Sequence, residues 1–119
     1  LPPAGVAVAD FSETGGALAM TQLLDADPGI DAVFAASDNM AAGAVRALQE
    51  SGRRVPDDVA VVGFDDLAIA SRTVPALTTV RQPIEAMGRE MARMLVAVLA
   101  GQDPTSLILP TTLVVRDSA

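Results

Sequence analysis

The sequence predicts an α/β fold: a mainly parallel, Rossmann-like sheet with flanking helices. Short apolar runs alternate with segments in which apolar residues recur at helical spacing, the pattern of strands joined by helices. The run 59–64 is continuous rather than alternating, as expected of a parallel strand covered on both faces. With 119 residues, the chain is long enough for one small domain.

Two strands and two helices are predicted in the first half of the chain. The strands cover 6–9 and 32–36, and the first helix covers 13–26. The second helix covers 38–51, because Ala41, Ala44, Val45 and Leu48 follow the i, i+3, i+4, i+7 spacing. Asp38 is the expected N-cap of that helix, and Gly52 occupies the position that follows a helix C-terminus.

The second half contains three extended segments and a long helix. Extended segments are predicted at 59–64, 77–82 and 107–115, and Pro110 makes the last one an edge strand or a crossover. Pro83 opens a helix that runs to residue 100, since proline suits the first helical turn. The apolar stripe of this helix comprises Ile84, Met87, Met91, Met94, Leu95, Val98 and Leu99.

Composition excludes several classes of function. The chain has no cysteine and no histidine, which removes thiolate metal sites and the usual catalytic triads. Its net charge is −7 and every positive charge is an arginine, so the chain lacks the basic patch that binds nucleic acid. No apolar stretch approaches the roughly 20 residues of a membrane span. We expect no cofactor, no metal and no membrane contact.

Polar residues and one aromatic ring follow the predicted strands. Phe11 comes just after the first, Ser37 after the second and Asp65 after the third, while Gln82 ends the fourth. In an open parallel sheet, ligands bind at the carboxyl ends of the strands, so these side chains are expected on one rim. Carboxylate, hydroxyl and amide groups beside one ring suit a small polyhydroxylated or heterocyclic ligand.

Each of these residues also has a purely structural interpretation. Asp and Ser at strand ends often cap the next helix, and one of Asp65 and Asp66 is expected only to hold its loop. A lone Phe11 is more often a core residue than a ligand platform, and Gln82 before a proline can simply be solvated. The functional interpretation depends on the group as a whole.

The motifs "AASDNMAAGAVRAL", "RRVPDDVAVVGFDD" and "LTTVRQP" resemble the C-terminal part of lactose-repressor (LacI/GalR) family transcription regulators. The resemblance implies the C-terminal subdomain of a type I periplasmic-binding-protein-like effector domain, here truncated. It also implies effector contacts by Phe11, Ser37, Asp65 and Gln82. Ser37 stands where the family usually has Asn, which leaves the effector open between a sugar and a purine-like molecule.

The resemblance carries further expectations for 1–119. Helix 84–100 would belong to a missing N-terminal subdomain, and operator DNA would be bound only through a missing N-terminal domain. The regulator would be cytoplasmic and a homodimer or higher oligomer. The expected dimer contacts are Ala41, Ala44, Val45, Leu48 and Ile69.

Two other functions stay open on the sequence alone. A periplasmic sugar-binding protein has the same fold, although the sequences of the motifs favour a regulator. An enzyme that transfers phosphoryl groups, with Asp65 and Asp66 holding Mg²⁺, is the second alternative. The absence of lysine and of a glycine-rich phosphate loop argues against it.

Overall fold

The computed structural model describes residues 3–119 and contains a four-stranded sheet with three helices. In chain order the elements are α1 (Glu13–Ala26), β1 (Ala32–Phe34), α2 (Asp38–Glu50), β2 (Ala60–Asp65), β3 (Thr78–Arg81), α3 (Ile84–Leu99) and β4 (Thr112–Val114). All three helices and the strands at 32–36, 59–64 and 77–82 were predicted, to within two residues at each end.

The sheet has the strand order β1-β2-β3-β4. The first three strands are parallel, and β4 runs antiparallel to β3 at the edge. The predicted mainly parallel α/β sheet is therefore confirmed, and 107–115 does supply an edge strand. Only Thr112–Val114 pairs, since Pro110 has no N–H to donate.

The segment 6–9 was predicted as a strand, and the structure corrects this. The segment is extended but unpaired, and Val8 is 91% exposed. An apolar groove of about 430 Å³ separates it from β1 and is lined by both. Hydrogen bonds of a sheet cannot form across a gap of that size, so no strand pairing occurs there.

Helix α2 lies between the sheet and α1. Leu48 of α2 and Val61 and Leu77 from the sheet region are fully buried together. Two glycines let the helices touch: a Cβ on Gly16 would overlap the Met40 carbonyl, and one on Gly43 would overlap the backbone of α1. The two helices therefore pack backbone to backbone.

This packing corrects the expected dimer contacts. Ala41, Ala44, Val45 and Leu48 are each at most 2% exposed within the single chain. They cover the sheet and α1, so their side chains are not available to a partner subunit. Ile69, in the loop after β2, is half-buried and keeps part of its side chain accessible.

The ends of α2 show one further correction. Ser37, not Asp38, is the N-cap, because its backbone is extended and its hydroxyl accepts from the Met40 N–H. At the other end Gly52 has φ +81°, and the N–H groups of Gly52 and Arg53 bond back to Gln49 and Leu48. This is the Schellman pattern expected of a glycine after a helix.

Asp38 is instead the first residue of α2 and is fully buried. Its Oδ1 accepts from the Thr79 hydroxyl at 2.6 Å, and its Oδ2 accepts from the Leu67 N–H at 2.6 Å. Gly63 of β2 lies beside Oδ1, where a Cβ would overlap the carboxylate. A single carboxylate thus joins α2, β2, β3 and the loop after β2.

Helix α3 has a different environment. None of its residues is buried, and Met91, Leu95 and Val98 are more than half exposed. A shallow groove between α3 and the segment before β4 is lined by Met87, Met91, Met94, Leu107 and Leu109. The predicted apolar stripe therefore exists but is left largely uncovered by the rest of the described chain.

We predict that Thr79→Val destabilises the fold by about 1–3 kcal/mol, because it leaves a buried carboxylate oxygen without its donor. Urea denaturation followed by circular dichroism measures this. Thr112→Val, the same change at an exposed strand position, is the control and should cost much less. Equal losses at the two positions would contradict the importance of the Asp38 contact.

Candidate functional site

The carboxyl ends of β2 and β3 bring two of the predicted site residues into contact. Asp65 pairs with Arg81 in the sheet register, so the next residue, Gln82, lies beside it. The Gln82 Nε2 donates to Asp65 Oδ1 at 2.5 Å. The expectation that the parallel strands place these two polar groups on one rim is met by the geometry.

Asp66 holds its loop, as the sequence suggested for one of the two acids. Its side chain is 9% exposed, and each oxygen has one guanidinium partner. Arg81 Nε donates to Oδ2 and Arg116 Nη2 donates to Oδ1, both at 2.6 Å. The Arg116 hydrogen bond, assisted by Arg81, keeps the pKa of the Asp66 carboxyl below its usual value despite desolvation.

Ser37 lies at the end of β1, as predicted, but it is 4% exposed and already caps α2. Its hydroxyl oxygen accepts from Met40, and its hydrogen is free to donate. Ser37 therefore has a structural role, although its hydroxyl keeps one donor and one further acceptor position.

Phe11 lies on the loop that leads into α1. Its side chain is 61% exposed, and its backbone is left-handed at φ +63°. Asp10 Oδ1 spans this turn by accepting from the Ser12 N–H and hydroxyl. The Ser12 hydroxyl is the main reason that the pKa of the Asp10 carboxyl is lowered.

Strained backbone occurs on the loop before α1 and at the end of β2. Among the described non-glycine residues, those with positive φ are Phe11, Asp65 and Asp66, at +63°, +102° and +58°. Non-glycine residues adopt such angles only where the surroundings hold them, which is common at ligand sites. Phe11 and Asp65, two of the residues chosen from the sequence, are among them, and their role in binding stays a prediction.

Sequence reasoning missed the arginines that organise the rim. Arg81 lies in "TTVRQP" and Arg116 in "LVVRDS", each at the end of an extended segment. Two adjacent acids after one strand, and an arginine at the end of each of two later extended segments, form a charge pattern that could have indicated the pairing. The buried role of Asp38 gave no comparable signal.

The magnesium alternative finds little support in this geometry. Both oxygens of Asp66 are occupied by guanidinium groups, so Asp66 is not free to bind a cation with Asp65. In the part of the chain that the structure describes, no three acidic side chains gather to hold a metal ion.

A mainly parallel sheet with polar side chains at its carboxyl end has the architecture in which α/β domains bind small ligands. The family model for a periplasmic binding protein-like domain matches residues 2–119. The chain belongs to this family, as the effector-domain part of a LacI/GalR-type transcription regulator.

Individual relatives agree with that assignment. The HTH-type transcriptional regulator CelR of Thermobifida fusca is 53% identical over 95% of this chain and 34% of its own length. The structure of a CelR–cellobiose complex matches with a TM-score of 0.89, over 93% of this chain and 35% of that one. The chain therefore spans about a third of the length of these relatives.

A more distant structure shares the fold. The lac repressor dimer bound to operator and the anti-inducer ONPF matches with a TM-score of 0.84 at 36% identity. The match covers 92% of this chain and 34% of the repressor chain. These relatives are transcription regulators and not enzymes. No helix among residues 3–119 is long and apolar enough to cross a membrane.

We predict that the ion pairs of Asp66 stabilise the fold only while its carboxyl is charged. Because its pKa is lower in the folded than in the unfolded chain, the contribution is complete above about pH 4 and disappears as pH falls below that value. Asp66→Asn should therefore lower the free energy of unfolding at pH 7, and the difference from the parent should shrink toward pH 3.

Denaturant titrations between pH 7 and pH 3 measure this dependence. Asp25→Asn, at an exposed position on α1, is the control and should change little throughout. A difference between the parent and Asp66→Asn that stays constant across the range would contradict the prediction.

Proposed function

We propose that this chain is the effector-binding part of a cytoplasmic transcription regulator that senses a sugar or a similar small molecule. The observation that carries the proposal is the Asp65–Gln82 pair at the ends of two parallel strands. In the intact regulator, operator DNA is bound through a separate N-terminal domain, since this chain carries a net charge of −7. The chain itself catalyses no reaction.

The hydrogen-bond acceptors left open at the rim match a hydroxylated ligand. Asp65 Oδ1 accepts from Gln82, while Oδ2 has no hydrogen-bond partner among the described residues. A carboxylate accepts hydroxyl hydrogens in charge-assisted bonds, and the Gln82 carbonyl oxygen adds an acceptor beside it. The exposed Phe11 ring offers an apolar platform for the C–H face of a sugar.

Related proteins support a carbohydrate over a purine. CelR was solved with cellobiose, and other relatives include a ribose operon repressor and a lactose operon repressor. The alternative of a periplasmic sugar-binding protein requires the same rim, but the matched relatives are regulators. The sugar class is therefore proposed as the effector class, with the regulator as the protein class.

We also propose that α3 packs against an N-terminal subdomain and that the intact regulator dimerises through the C-terminal subdomain. A 16-residue helix with an apolar stripe and no buried residue lacks the cover that normally stabilises it. The lac repressor is described as a dimer, which supports the second part of the proposal. Ile69 and its loop remain the surface-accessible part of the expected contact.

A chimaera tests the proposed site. This chain is joined to the N-terminal two thirds of T. fusca CelR in place of the matching region, and cellobiose binding is measured by calorimetry. The chimaera should bind cellobiose. Asp65→Ala should weaken binding by about 2 kcal/mol or more, as expected for a lost charge-assisted bond.

Asp25→Ala, which removes an exposed acid on α1, is the matched control and should leave the affinity unchanged. Unchanged affinity in Asp65→Ala would remove Asp65 from the site. A folded chimaera that binds no cellobiose, while CelR does, would count against the proposed sugar for this chain.

The same chimaera tests the role of α3. Leu95→Arg should lower the melting temperature of the chimaera by several degrees, because it places a charge in a buried contact. In the 119-residue chain, where Leu95 is 60% exposed, the substitution should have little effect. Ala92→Arg, on the side of α3 that carries Glu85 and Arg89, is the control. Equal effects of Leu95→Arg in both proteins would contradict the proposed packing.

A further inference from the structure

The backbone that presents Asp65 is held in an unfavourable conformation. Asp65 and Asp66 both have positive φ, at +102° and +58°, and neither is a glycine. Two consecutive residues of this kind relax to ordinary angles unless neighbouring groups fix them. The positive φ angles at the end of β2 therefore require neighbouring contacts that hold them.

Contacts of Asp65 and of the two residues after it supply the restraint. Downstream, Asp66 is paired with Arg81 and Arg116, and the Leu67 N–H is bound by the buried carboxylate of Asp38. Asp65 itself has a single side-chain partner, Gln82. The residue next to Asp65 in the chain, Asp66, is therefore fixed by two ion pairs.

Of the two arginines, Arg116 is the better fixed. Its side chain is 20% exposed, against 58% for Arg81, so its ion pair is less screened by water. Arg116 Nη1 also donates to the Leu77 carbonyl, and its backbone N–H donates to the Thr78 hydroxyl. Asp66 is thus tied to a guanidinium that is itself attached to the beginning of β3.

We propose that Asp66 is a positioning residue for the effector site, acting through Asp65. Its two ion pairs hold the left-handed turn that directs the Asp65 carboxylate to Gln82, while Asp66 itself stays away from the ligand. Both its oxygens are occupied and it is nearly buried, so it has no free acceptor to offer. The part of this inference that concerns affinity depends on the proposed function; the part that concerns geometry does not.

The geometry is tested without a ligand. In the chimaera labelled with ¹⁵N-glutamine, the Gln82 side-chain amide is assigned by its loss in Gln82→Glu. Asp66→Asn should move this resonance toward the position of a solvated glutamine, because Asp65 no longer faces the amide. Arg116→Gln, which removes one partner of Asp66, should move it in the same direction and serves if Asp66→Asn does not fold.

Asp58→Asn is the control, since it breaks the Arg54–Asp58 ion pair on another loop and should leave the Gln82 resonance in place. An unmoved resonance in folded Asp66→Asn or Arg116→Gln would overturn the proposal, because Asp65 would then keep its position without the ion pairs.

A double-mutant cycle on cellobiose affinity tests the consequence for binding. Asp66→Asn should weaken binding by roughly tenfold in the parent chimaera and by less than twofold when Asp65 is already alanine. Equal weakening in both backgrounds would show that Asp66 acts independently of Asp65 and would overturn the proposal. If the parent chimaera binds no cellobiose, the proposed sugar fails, and the Gln82 resonance alone decides the role of Asp66.

Discussion

The arrangement of the rim depends on the two hydrogen bonds of the buried Asp38 carboxylate. A charge with no exposure must have partners of its own, and Asp38 finds them in the Thr79 hydroxyl and the Leu67 N–H. Its place in the first turn of α2 adds the favourable field of the helix N-terminus. Because Thr79 belongs to β3 and Leu67 follows β2, satisfying this one group fixes α2 against β3 and against the loop after β2.

The C-terminal residues form hydrogen bonds to the beginnings of the same two strands. Ser118 is fully buried; its hydroxyl donates to the Val61 carbonyl and accepts from the Thr78 N–H. The Val61 N–H in turn donates to the Ser118 carbonyl. The last residues of the chain therefore fill the space between the beginnings of β2 and β3, while Asp38 and Arg116 fix the loop that leaves β2. These polar contacts, together with the core, therefore hold the residues at the strand ends in place.

Much of this was predictable because it depends on local pattern. The helical spacing around Val45, the proline before α3 and the glycine after α2 each identify an element from a few neighbouring residues. Ser37 and Asp38 show the limit: both suit an N-cap, and the burial of Asp38 against Thr79 decides between them. That contact joins residues 41 positions apart, and no local pattern encodes it.

The strand predicted at 6–9 was wrong for a related reason. A strand requires a partner, and a groove separates this segment from the free edge of β1. The dimer contacts failed because helical spacing identifies an apolar face without saying what covers it, and here the cover is the chain's own sheet and α1.

The uncovered surfaces explain a composition that is unusual for so short a chain. Mean hydropathy is +0.40, yet α3 buries none of its residues, and Phe34, in edge-to-face contact with Phe64, is 64% exposed on the sheet. A parallel sheet is normally covered on both faces, and an amphipathic helix is normally packed. The chain spans about a third of the length of its relatives, and we propose that these faces pack against the remainder of the intact protein. The effector rim lies between the two kinds of surface: Asp65 and Gln82 are fixed by the packed part, and Gln82 leads directly into the uncovered helix.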